Sequence, residues 1–147
     1  VSDSRLESAQ ALGANVLINP QRENPRDAVD TFTNGSGVDI AFEAVGMSAT
    51  CQQTLEVTRD GGTVIWIGNN KKMVEIDMQA IVTRELKVVG SYGMNEQDFE
   101  RALKMLSDGV IPTDQLINRR ATLDEGPELF DQLLAAPEII KCLINFE

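Results

Sequence analysis

The sequence predicts an α/β fold, an open parallel sheet with helices on both faces, from three observations. Short apolar runs recur, each closed by glycine: residues 38–46 ending at Gly46, residues 61–68 ending at Gly68, and residues 85–90 ending at Gly90. Runs of this length, rich in β-branched and aromatic residues, read as buried strands. Helical pattern lies between each pair, and strands that alternate with helices pair in parallel. Such a sheet binds ligands beyond the carboxyl ends of its strands, so the glycine ends are where function is sought.

The chain of 147 residues is expected to form one domain, 1–147, long enough to bury a substantial core. Its apolar fraction of 42% and charged fraction of 24% are ordinary for a soluble chain. No apolar stretch is long enough to span a bilayer and the amino end lacks a signal-peptide profile, so a cytoplasmic protein with no membrane partner is expected. A net charge of −10 argues against nucleic acid, whose affinity comes from clustered Lys and Arg. No histidine occurs, and Cys51 and Cys142 are far apart. That removes a histidine base and any zinc site built on histidine or four cysteines, and leaves two thiols that read as small buried hydrophobes. No catalytic residue and no metal ligand is assigned.

In chain order, Ser4 and Glu7 fit a capping box, which predicts a helix from about Arg5 to Leu12, stopped by Gly13. Residues 15–19 are a short strand ended by Pro20. Asn24-Pro25 reads as a cap with proline at the first helical position, with Ala28, Val29 and Phe32 as the apolar face. Residues 34–37, Asn-Gly-Ser-Gly, break that helix and lead into the strand at Val38. Beyond Gly46, Ser48 caps a helix to about Arg59, and Asp60-Gly61-Gly62 turns the chain. Asp77 caps a short helix over 78–83. Asn95 caps a longer one ending near Gly109, with Phe99, Ala102, Leu103 and Leu106 at helical spacing. Thr122 and Glu125 form a further capping box before a helix with Leu129, Phe130, Leu133 and Leu134 as its buried stripe. Pro137 follows, and residues 139–146 close the chain as a strand.

Several motifs in this order carry a resemblance: Arg5-Leu6 with Leu12-Gly13-Ala14, Gly37-Val38-Asp39 with Phe42-Glu43-Ala44-Val45-Gly46, Gly61-Gly62-Thr63-Val64, Gly90-Ser91-Tyr92-Gly93, and Lys141 before Cys142-Leu143-Ile144-Asn145-Phe146. The chain resembles the coenzyme domain of zinc-type, medium-chain alcohol dehydrogenases, nearest the alcohol, polyol and threonine dehydrogenase branches. A Rossmann-like methyltransferase would also carry its cofactor signature early in the fold, but the ordered match through Lys141 fits a dehydrogenase better. The resemblance implies an incomplete doubly wound, Rossmann-like sheet: the first strand, the glycine-rich phosphate loop and the second strand with its ribose carboxylate would lie before Val1. Asp3 would be a poor substitute for that carboxylate. Zinc and its ligands would belong to full-length relatives, outside this region.

The resemblance also implies a coenzyme, NAD or NADP, and residues that would meet it. Ala44, Val45 and Gly46 would approach it, Gly46 because a side chain would block close backbone approach. Ile67 and Ser91 resemble positions whose backbone groups receive the nicotinamide carboxamide, with Gly68 and Gly90 keeping that wall thin. Lys141 would contact the pyrophosphate as a point charge, and Arg5 would lie near the adenosine ribose. Set against these, Gly46 would merely end a strand, Val45 and Ile67 would be core, and Lys141 and Arg5 would be surface charges. Glu43 has no sequence partner that would make it a base, and Asp39 reads as structural. With the middle of the sheet absent, the strand at Val16 would either meet the one at Val38 or the chain would self-associate through exposed edges as a homo-oligomer. Two functions follow: the carboxyl-terminal part of an NAD(P)-binding domain, inactive alone, or a free-standing self-associating module with weak nucleotide binding or none.

Overall fold

The structure is a computed structural model and describes residues 2–136 and 138–146. In order its elements are α1 (Asp3–Ala11), α2 (Pro25–Thr33), β1 (Val38–Glu43), α3 (Ser48–Val57), β2 (Thr58–Trp66), α4 (Met78–Thr83), β3 (Lys87–Gly90), α5 (Glu96–Ser107), α6 (Thr113–Leu116), β4 (Ile117–Thr122), α7 (Gly126–Ala135) and β5 (Lys141–Asn145). The sequence reads as one domain, and the chain gathers into two compact units, one of residues 20–93 and one of residues 2–19 with 94–146.

In the 20–93 unit, β1, β2 and β3 form a parallel sheet in that order. Registered partners in a parallel pair share a face. Ala41, Val64 and Val88 are therefore on one side, and Ile40, Phe42, Ile65 and Val89 on the other. The first side packs under α3. Leu55 and Val64 are fully buried there and Leu86 nearly so, with Trp66, Ile76, Ile81 and Val88 around them. Each fully buried aliphatic side chain contributes about 1.5–3 kcal/mol. Trp66 keeps its indole N–H satisfied by donating to Thr54 Oγ1 at 3.2 Å. The second side leaves Ile40 52% and Phe42 63% exposed.

Asn24 caps α2 as expected, accepting from the Arg26 amide at 2.8 Å, and Asp77 caps α4 by accepting from the Ala80 amide at 3.1 Å. Ala28 and Val29 are half-buried, whereas Phe32, expected on the same face, is exposed. The helix at Ser48 is present but Ser48 does not cap it. Met47 holds the cap position, and Ser48 Oγ instead accepts from the Glu75 amide at 3.0 Å. Nor does Asp60-Gly61-Gly62 turn the chain after a helix: α3 stops at Val57, β2 has begun by Thr58, and residues 59–62 bulge out of register with β1. Buried Thr58 anchors that early start by donating its hydroxyl to the Thr54 carbonyl at 2.6 Å. Arg84 ties the region together. It meets Asp60 Oδ1 at 2.8 Å and donates to the carbonyls of Leu55, at 2.9 Å, and Thr58.

In the other unit, α1 begins two residues earlier than expected, with Ser2 at the cap position, so Ser4 lies inside the helix. Gly13 closes that end at φ +104°. Residues 15–19 form no strand, which removes the rearranged pairing with the strand at Val38: a strand needs a ladder partner, and this run has none among the described residues. Its Asn19 side chain instead donates to Asp3 Oδ1 at 3.3 Å. Helix α5 has the expected cap, Asn95 accepting from the Asp98 amide at 2.8 Å, yet its stripe of Phe99, Leu103 and Leu106 is exposed. Strand β4, unforeseen because Asn118, Arg119 and Arg120 interrupt its apolar pattern, pairs in parallel with β5. Of the stripe expected on α7, Leu129 is buried and Phe130 and Leu133 are exposed. The side chain of Leu134, and Pro137, lie outside the described residues. Glu125 receives both Thr122 donors, the amide at 2.7 Å and the hydroxyl at 3.1 Å, but that pair precedes α7 rather than forming its first turn.

Candidate functional site

The carboxyl ends of β1, β2 and β3 finish at one level, because Glu43, Trp66 and Gly90 are registered partners across the sheet. The residues that follow, 44–46, 67–68 and 91, leave the sheet side by side, with adjacent strands about 4.8 Å apart. Six of the eight residues expected to meet a coenzyme are thereby assembled on one edge: Ala44, Val45, Gly46, Ile67, Gly68 and Ser91. Val45 is 49% and Ile67 46% exposed, so neither is core. The other two belong to the other unit. Arg5 lies on α1 and Lys141 opens β5, both exposed.

Neighbouring backbone by itself enforces glycine at 46 and 68. Gly46 adopts φ +82°, and a Cβ there would fall 2.4 Å from the Asn70 amide nitrogen and 2.6 Å from that of Asn69. A Cβ on Gly68 would fall 2.1 Å from the Gly46 nitrogen. The turns after β1 and β2 thus press backbone against backbone. Gly90, by contrast, has nothing within 4 Å of its Cβ position.

Beneath these turns lies a group whose partner sequence reading missed. The Glu43 carboxylate is 2% exposed and points under its own turn, accepting from the amides of Val45 at 2.9 Å and Gly46 at 2.8 Å. Thr50, on the first turn of α3, donates its hydroxyl to the same carboxylate at 2.5 Å. Burial pushes this carboxyl up, but the hydrogen bonds from Thr50, Gly46, Val45 and Gly68 outweigh it and hold the group below the ordinary glutamate value. An ionised, buried carboxylate whose two oxygens both already accept hydrogen bonds reads as a structural anion rather than a proton acceptor for chemistry. The seven-residue spacing of Glu43 and Thr50, bridged by a glycine turn, was the available signal.

The backbone of the edge is partly committed. The Ile67 and Gly68 amides donate to the Glu43 carbonyl at 2.8 and 3.1 Å, and the Ser91 amide donates to the Trp66 carbonyl at 2.9 Å. With those amides in use, the backbone groups of Ile67 and Ser91 left to meet an amide donor are their carbonyl oxygens. At the opposite, amino-terminal end of the sheet, a polar cavity of about 590 Å³ is lined by Arg26, Gly35, Ser36, Arg59, Asp60 and Arg84. Its arginines are matched by Asp30, Asp39 and Asp60, so its charge is balanced.

The residues present do not fit a zinc ion. The sequence has no histidine, and no group of three metal-binding side chains occurs among the described residues. Burial, and after it the Glu43 charge, push the Cys51 thiol up, which disfavours the thiolate that a metal requires.

The family model described as zinc-binding dehydrogenase matches residues 1–108. D-arabitol-phosphate dehydrogenase of Enterococcus avium is 33% identical over 136 residues, covering 92% of this chain and 39% of its own length. Sorbitol dehydrogenase of Bombyx mori is 31% identical over 150 residues, covering 100% of this chain and 42% of its own. Among solved structures, 2R,3R-butanediol dehydrogenase from Bacillus subtilis matches with a TM-score of 0.91 at 27% identity, over 100% of this chain and 42% of that one. The chain therefore spans well under half the length of the relatives it matches. A family match over most of its residues, on a parallel sheet whose glycine turns meet at the carboxyl edge, means that this chain belongs to the zinc-binding dehydrogenase family.

Proposed function

We propose that this chain is the carboxyl-terminal part of the NAD(P)-binding domain of an alcohol or polyol dehydrogenase, and that on its own it binds nucleotide weakly and turns over no substrate. The observation that carries the reading is the level carboxyl edge of β1, β2 and β3, where apolar Val45 and Ile67 stand exposed beside backbone acceptors. The nicotinamide ring would pack on those two side chains, and its carboxamide N–H groups would donate to the Ile67 and Ser91 carbonyls. A bound nicotinamide supplies hydride transfer; this chain's residues supply a dry, oriented wall for it. Zinc would be held by other parts of a full-length dehydrogenase, since the donor set here does not suit it. Two thiols outside any disulfide agree with a reducing, cytoplasmic setting, and no helix among the described residues is long and apolar enough to cross a membrane.

Titration with NAD and NADP, followed by amide NMR shifts and calorimetry, tests the proposal. Shifts at Val45, Gly46, Ile67 and Ser91 with millimolar or weaker affinity are expected, and no oxidation of sorbitol. An edge that shows no shift at saturating nucleotide, or turnover by the purified chain, refutes it.

A second reading, a self-associating module, is favoured by the outer edge of β1. It has no strand partner among the described residues, and Ile40 and Phe42 beside it are exposed. Unpaired edges invite pairing with a second copy. Sedimentation velocity should then show mass rising with concentration, and Phe42→Lys should abolish the rise.

A further inference from the structure

Glu43 is a buried anion held by donors and by no cation, since none of the described ion pairs includes it. Both carboxylate oxygens are engaged: Oε1 by Val45, Gly46 and Thr50, and Oε2 by Gly46 at 2.9 Å. Through its backbone carbonyl the same residue receives the Ile67 and Gly68 amides. One residue therefore grips the turn after β1 with its side chain and the turn after β2 with its main chain. The fit is close enough that a Cβ on Gly68 would lie 2.4 Å from Oε2.

We propose that Glu43 is the positioning residue of the nucleotide edge: it fixes the Val45–Gly46 turn against the Ile67–Gly68 turn, and so sets the wall on which the nicotinamide packs, while touching no nucleotide itself. The inference rests on the reading that this edge receives a nicotinamide. Buried at 2% exposure, Glu43 acts only through the turns. Glutamine cannot replace it. Its amide has one accepting oxygen, so its NH₂ group would face a backbone N–H, and donor would meet donor. Thr50 serves as the hydroxyl arm of the same grip and fastens the start of α3 to it.

The test compares wild type with Glu43→Gln, Thr50→Val and Thr50→Ser by residue-resolved amide exchange, thermal melting and nucleotide titration of the whole chain. In Glu43→Gln, exchange at Val45 and Gly46 should quicken roughly 10- to 100-fold, the range expected for losing a hydrogen bond to a charged acceptor. Amides of β4 and β5 should keep their wild-type rates, and nucleotide affinity should fall at least about fivefold, or 1 kcal/mol at RT of 0.59 kcal/mol. Thr50→Ser should behave as wild type and Thr50→Val should loosen the same two amides to a lesser degree. Should Glu43→Gln fail to fold, Thr50→Val decides, because it keeps the buried charge and removes one donor. Wild-type exchange at Val45 and Gly46 in both variants would overturn the inference, as would loosened turns with unchanged affinity. Absence of nucleotide shifts in the wild type would instead sink the functional reading, and exchange with the serine rescue would still show whether Glu43 sets the wall.

Discussion

At the residue scale, glycines of one type have opposite consequences. Gly46→Ala forces a methyl group onto the Asn70 amide nitrogen at 2.4 Å with φ at +82°, so it should cost about 2–3 kcal/mol, read as a lower urea midpoint. Gly90→Ala meets open space and should leave stability within about 0.5 kcal/mol of wild type. Glu43 makes a pH prediction whose sign follows from its carboxyl being lower folded than unfolded. Its contribution is fully present above the ordinary glutamate value and drains away as pH falls from there through the lowered native value. Urea midpoints of wild type and Glu43→Gln should therefore differ at neutral pH and converge under acid. The sequence motif around Gly46 announced a strand end, and β1 does end at Glu43. The role of Glu43 as an anchor was largely hidden because, Thr50 apart, its donors are backbone amides, which nearly every residue possesses.

At the scale of single elements, polar caps proved readable where one side chain suffices. Asn95 takes the Asp98 amide at the start of α5 and the Asp98 carboxylate returns toward the Asn95 amide at 3.3 Å. Asn95→Ala should cost about 1 kcal/mol and fray that helix, visible as lost helical circular dichroism. Serine was a poorer guide. Ser48 is recruited by the Glu75 amide 27 residues away, a tertiary choice that local spacing cannot reveal. Arg84 makes a similar long-range tie, its planar fork serving Asp60 and the carbonyls of Leu55 and Thr58 at once. Lysine offers no such fork, so Arg84→Lys should lower stability by about 1–3 kcal/mol, measured by thermal or urea unfolding. Strand β4 escaped sequence reading for the converse reason: Asn118 faces the Glu138 carbonyl and the Ile140 amide, so its polarity is satisfied by the chain beside it and its strand character is masked.

At the scale of the whole molecule, the alternation of strand and helix was legible, because the apolar runs at Val38, Thr63 and Val88 are short, β-branched and closed by glycine. Division into two compact units was not, since residues 2–19 and 94–146 are remote in sequence and no linker composition separates them from the residues between. The run at 15–19 has strand chemistry without a strand, which shows that a ladder depends on neighbours as much as on propensity. The mutual contact of Gly46 and Gly68 bears on engineering. Neither loop can be exchanged alone, because each is the mould in which the other is cast. A transplant of residues 44–50 from another dehydrogenase should express as folded protein only when residues 67–70 travel with it.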